Sequence, residues 1–249
     1  MTAPIQDAFE PRRGRGSAGG GSSGASGGAG RCDAGAGVSM PEMMADRSSV
    51  TLMFVPVARQ IALPGEPDTW ARLGFAPGAP VGEVRMVPGA AHLEVGIEGL
   101  EVERPDGLAL VSADSGPAVP GEHPNGATVV DHVVALTDDM ERTLAALDAA
   151  GLEVRLLRVP PEAPVRQAFI NLRTLILEVV EVEGDAPALW GVTVVVADLD
   201  ACARVLGPLL GAPRTAVQPG RRIATVGPEA GLATPLAFMT PRPQRSAAP

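Results

Sequence analysis

Apolar positions change their period along the chain, and the changes mark the elements. Residues 128–137 form a β-branched, apolar run that stops at Asp138–Asp139. Apolar residues then recur at helical spacing through Met140, Leu144 and Leu147, up to Gly151. The same change recurs 59 positions later. The run 188–197 stops at Asp198, and Leu199, Cys202, Leu206 and Leu209 follow at helical spacing up to Gly211. An Asp at a helix start caps free backbone N–H groups and meets the positive end of the helix dipole. A Gly at the far end suits the C-terminal cap. Three short strand-like runs follow each helix, separated by turns rich in Pro and Gly. They are Glu153–Val159, Val165–Leu172 and Thr174–Val182 in the first copy, and Arg214–Gln218, Arg222–Val226 and Pro235–Met239 in the second. Each copy is therefore β-α-β-β-β, and each is too small to bury a comfortable core alone, so the pattern predicts that the two share one.

The rest of the chain divides into two parts. Residues 1–49 show no period of 2 or 3.6, and 16–30 contain only Gly, Ser and Ala, so this tail is expected to be disordered. It reads either as a flexible tether or as residues upstream of a true start at Met40, Met43 or Met44. Residues 50–122 are predicted to hold a strand at Val50–Ala58, a short helix at Asp68–Phe75, and strands at Val84–Val87, Leu93–Val95 and Leu108–Val111. That order fits a decayed third module, the working expectation, or a cap of hairpins over the pair. The two modules take in 124–184 and 187–241.

Composition narrows the function classes. The chain has 249 residues and a formal net charge of −9, and all 20 basic residues are Arg. The tail is balanced, so the acidic excess belongs to the body, which is a poor partner for nucleic acid or an anionic membrane. No apolar run approaches the ~20 residues of a membrane span, and the N-terminus lacks a signal-peptide core. Cys32 and Cys202 make no disulfide framework. The expectation is a cytoplasmic protein from a GC-rich bacterial genome, with a homodimer left open. Without Lys there is no phosphate-binding Gly-x-x-x-x-Gly-Lys-Ser/Thr loop, and no Cys-x-x-Cys pair is present.

The repeat, with Val-Asp-His-Val-Val at 130–134, Leu-Glu-Val-Val at 177–180 and Asp-Leu-Asp at 198–200, resembles the vicinal oxygen chelate superfamily of glyoxalases, bleomycin-resistance proteins and extradiol dioxygenases. The resemblance covers about half the chain. It implies an α+β fold of paired βαβββ modules forming a curved-sheet cleft, with an N-terminal extension. It also implies a small-molecule substrate or ligand in the cleft and a divalent metal (Zn, Mn, Fe or Ni) held from the first and last strands of each module. In the first copy those positions are His132 and Glu178. Their counterparts in the second are Gly191 and Ala237, which cannot bind a metal, so the ligand set is incomplete. His92 and His123 are the remaining candidates for a third ligand.

Simple alternation places His132 on one face with Val130 and Val134, and Glu178 on one face with Ile176 and Val180. Gly191 leaves room at the cleft floor for a ligand or water. Gln167, Gln218 and Arg222 are candidate substrate-binding residues, since a guanidinium fork suits a carboxylate or phosphate. Arg221 and Arg222 are adjacent in a strand, so at most one faces the cleft. Three function classes remain open: a metal-dependent lyase, isomerase or dioxygenase, a metal-free binding or sequestering protein, and an interaction domain with an inert cleft.

Overall fold

A computed structural model describes residues 55–114, 116–159, 165–184 and 187–243. The 1–49 tail lies outside them. These described residues fall in one compact unit.

The first module runs β5 (Ala127–Thr137), α2 (Met140–Ala149), β6 (Val154–Arg158), β7 (Gln167–Asn171) and β8 (Ile176–Glu181). The second runs β9 (Ala188–Val196), α3 (Leu199–Leu206), β10 (Arg214–Thr215), β11 (Arg222–Thr225) and β12 (Leu236–Met239). Together they build one eight-stranded sheet in the order β10-β11-β12-β9-β5-β8-β7-β6. Within each module the first strand lies parallel to the fourth, and β5 and β9 join the modules antiparallel at the centre. This is the expected pairing of βαβββ modules, and it makes the shared core continuous across the seam.

The helix starts agree with the sequence. Asp139 caps α2 by accepting from Arg142 N at 3.0 Å, and Asp198 caps α3 by accepting from Asp200 N and Ala201 N at 2.9 and 3.0 Å. Asp198→Ala is expected to cost about 1 kcal/mol in urea unfolding. An unchanged midpoint would show that water serves those N–H groups equally well. The second helix stops earlier than Gly211. Pro208 disfavours helical geometry at the residue before it, and Gly207 takes φ 56° as the cap. A short 3₁₀ turn, Gly207–Leu209, follows.

The N-terminal segment also has the order β-α-β-β-β: β1 (Val57–Pro64), α1 (Pro67–Arg72), β2 (Arg85–Ala90), β3 (Glu94–Glu98) and β4 (Leu110–Ser112). Its pairing differs from that of the modules. The sheet order is β2-β1-β3-β4, with β1 inside, parallel to β2 and antiparallel to β3. It packs on the side of the large sheet that carries the helices. Phe75 stacks on Phe238 with ring centroids 5.9 Å apart, and Asp106 accepts hydrogen bonds from Arg142 and Thr143 of α2. The opposite face of the large sheet holds the polar residues considered next.

Candidate functional site

Ladder pairing shows which side chains share the helix-free face. His132 pairs with Ile176 and Thr193, and Glu178 pairs with Val134 and Phe169. Gln167 pairs with Val180 on that face. Gly191 pairs with Val134, and Ala237 with Thr193, so the four positions equivalent by the repeat lie together about the seam.

One feature of β5 departs from simple alternation. Val130 pairs with Val194 and His132 with Thr193, so one extra residue, Asp131, is inserted between them. This bulge turns Val130 to the helix side and leaves Asp131 and His132 together on the other. Their side chains meet, with Asp131 Oδ2 2.8 Å from His132 Nδ1. A buried polar chain extends both ways from this contact. Arg221 Nη1 lies 2.8 Å from Asp131 Oδ1. His132 Nε2 faces Glu178 Oε2 at 3.8 Å, beyond hydrogen-bond length. Gln167 Nε2 donates to Glu178 Oε1 at 3.1 Å, and Arg158 Nε donates to Gln167 Oε1 at 2.8 Å.

Burial makes these charges matter. Arg221 is only 2% exposed. Its Nε donates to Thr240 O at 2.8 Å. Its approach to Asp131 is an ion pair without hydrogen-bond alignment, so among the described residues Nη1 and Nη2 have no hydrogen-bond partner. Burial opposes charge on Asp131, but the hydrogen bond and charge of His132, with the charge of Arg221, outweigh it and bring the carboxyl down to about 2. Glu178 moves the other way. Burial holds its carboxyl above the ordinary carboxylate value, against the lowering by His132 and Arg158, and Asp131 adds to the rise.

The structure thus brings together His132, Glu178 and Gln167 of the residues proposed from sequence. It does not bring Arg222 to them: Arg222 is exposed and forks onto Asp200 at 2.8 and 3.0 Å, while Arg221 turns inward. Gln218 lies half-buried in the turn before Arg221, where its carbonyl accepts from Arg221 N. Gly191 does not open the floor, because a Cβ there would meet Pro235 O at 3.2 Å. Asp131 and Arg221 are the additions.

A metal of the kind the resemblance implies needs donors. His132 and Glu178 supply two, and Gly191 and Ala237 supply none. His123 is committed to backbone, with Nδ1 accepting from Ala76 N and Nε2 on Pro80 O, and His92 is exposed near Glu94. Among the described residues no group of three His, Cys, Asp or Glu is placed to hold a metal. Two donors do not fit a catalytic centre, which takes three protein ligands.

Two βαβββ modules joined antiparallel through their first strands are the arrangement of elements that the resemblance implies. Solved structures similar to this chain include methylmalonyl-CoA epimerases, at low sequence identity. A methylmalonyl-CoA epimerase from Mycobacterium tuberculosis is 18% identical over 49% of this chain and 94% of its own, with a TM-score of 0.41. One from Streptomyces coelicolor, in complex with 2-nitronate-propionyl-CoA, is 23% identical over 49% of this chain and 99% of its own, at a TM-score of 0.38. A hypothetical protein from Bacillus halodurans is 13% identical over 47% and 96%, at 0.40. No family model and no curated protein sequence matches the chain. No helix among the described residues is long and apolar enough to cross a membrane.

Proposed function

We propose that this chain is a glyoxalase-like protein that binds a small organic molecule on the helix-free face, with His132 and Glu178 as a metal-independent acid–base pair. The observation that supports this reading is the buried gap of 3.8 Å between His132 Nε2 and Glu178 Oε2. Each group is held from behind, His132 by Asp131 and Glu178 by Gln167, and neither satisfies the other. An oxygen about 2.8 Å from both atoms lies off the line between them.

The roles follow from the environments. Asp131, ionised, accepts Nδ1–H and fixes the imidazole with Nε2 toward the gap. Glu178, raised by burial, holds a proton at Oε2 at pH values where an exposed carboxyl has lost it. Two titratable groups with such different surroundings suit a proton transfer of the isomerase or lyase class on an oxygen-rich substrate. Gln167 and Arg158 position Glu178 from the outer strands.

The test is thermal unfolding of the full chain against a library of oxygen-rich organic acids, ketones and enols. A compound present at a hundred times its Kd is expected to raise Tm by roughly 5–10 °C. His132→Ala should abolish that rise. Equal stabilisation of wild type and His132→Ala by every compound that binds would remove the pair from the site, and no stabilising compound would remove the binding reading. Elemental mass spectrometry completes the test. One metal per chain, lost in His132→Ala, would overturn the metal-independent reading.

A further inference from the structure

Beside the acid–base pair lies a pocket of about 350 Å³, where β5 and β8 begin and β7 ends. Asp131, Phe169 and Leu175 line it, and so do three arginines, Arg155, Arg173 and Arg242. That is unusual for a body with 24 acidic residues and 15 Arg. The Asp131 carboxylate is already engaged by Arg221 and His132, so the three guanidinia are not spent on it. Among the described residues Arg155 reaches only Glu153, at 3.2 Å on the exposed rim. Among the described residues Arg173 and Arg242 have no carboxylate partner within ion-pair distance.

The backbone adds a second observation. Arg173 stands at φ 61°, the left-handed region, in the turn between β7 and β8. Asn171 Oδ1 accepts from its N–H at 2.8 Å and helps hold the turn. Gly fills such a position without strain, and Asn with less. Strain kept at a pocket rim is a sign that the side chain is used.

We propose that this pocket binds the oxyanion, a carboxylate or a phosphate, of a small organic molecule whose apolar body rests on Phe169 and Leu175. Guanidinium forks match both anions, and an apolar floor distinguishes an organic anion from a bare inorganic one. The inference rests on the helix-free face being a ligand-binding face, and it names the class of molecule that face takes.

The experiment titrates full-length protein with benzoate, phenyl phosphate, neutral benzamide and matched sodium chloride, read by calorimetry and Tm. Benzoate or phenyl phosphate is expected to bind and raise Tm where benzamide and chloride do not. The tighter of the two assigns carboxylate or phosphate as the preferred group. Arg173→Gly should weaken the anion about tenfold, the loss of one charged hydrogen-bonding partner, while keeping or raising the ligand-free Tm. Arg173→Gln keeps the strained backbone and should weaken binding equally, which separates charge from strain. His132→Ala should leave benzoate binding intact. Anions that bind no better than benzamide, or full affinity in both Arg173 variants, would overturn the pocket. Binding lost in His132→Ala and kept in the Arg173 variants would move the anion to the acid–base pair, overturning this inference alone. Benzoate held by the Arg173 side chain, with no library compound sensitive to His132→Ala, would overturn the acid–base pair alone.

Discussion

Asp131→Ala is expected to destabilise the fold by about 3–5 kcal/mol, because it strands a buried cation. Arg221 is 2% exposed and comes from the turn before β11 in the second module, while Asp131 sits in β5 of the first. Their pair therefore crosses the seam, and the carboxylate is the only charge given to the guanidinium among the described residues. The double variant Asp131→Ala with Arg221→Met removes both charges and keeps the aliphatic bulk, so it should recover most of the loss. Urea unfolding of the wild type, both single variants and the double variant gives the coupling directly. If Asp131→Ala costs no more than an exposed residue, or the double variant is as unstable as the sum of the singles, the pair does not stabilise the seam. The same group fixes an acid limit. Its folded value of about 2 lies below the 3.8 of an exposed aspartate, so it adds stability above 3.8 and loses it as pH falls toward 2. That contribution is about 2 kcal/mol, and the acid slope should be absent from Asp131→Ala.

The paired modules were legible because their signals are local and repeated. Two Asp caps, two helical stripes and β-branched runs at a fixed offset need no tertiary information. Strand pairing followed from the need for a common core. What escaped the sequence depended on contacts across it. A bulge at Asp131 reverses the alternation assumed for Val130 and His132, and no residue type in Val-Asp-His-Val-Val announces it. Arg221 and Arg222 look equivalent in sequence, yet the strand sends one inward to Thr240 O and Asp131 and the other outward to Asp200. Gly191 reads as empty space until Pro235 is seen against it. The N-terminal segment repeats the element order of a module, but its pairing puts β1 between β2 and β3, which element order alone does not determine. His132 and Glu178 were readable because the resemblance places them on the first and last strands of one module, and Gln167 because it lies in a strand run of that module.

Glu178→Gln is expected to stabilise the protein near pH 8 and to impair its chemistry. Glu178 is buried between strands, and burial raises its carboxyl above the ordinary value. A carboxyl raised on folding binds its proton more tightly in the native state than in the unfolded chain. It therefore costs nothing below the unfolded pKa, and the penalty accumulates as pH rises through the interval up to the folded value. This sign is opposite to that of Asp131, on the other side of the His132 ring. Glutamine cannot ionise and still accepts from Gln167 Nε2 through its amide oxygen, so the variant keeps the packing and loses the pH-dependent cost. Wild type and variant should unfold alike near pH 4. Near pH 8 the variant should gain about 1.4 kcal/mol for each pKa unit by which folding raises the group. Proton transfer at Oε2 should be lost together with that penalty, the exchange of stability for function expected of a polar group placed for chemistry. A variant less stable than wild type near pH 8 would mean that Glu178 is held ionised by His132 and Arg158. The two charges facing the gap would then act as a structural ion pair, and the acid–base assignment would fall with them.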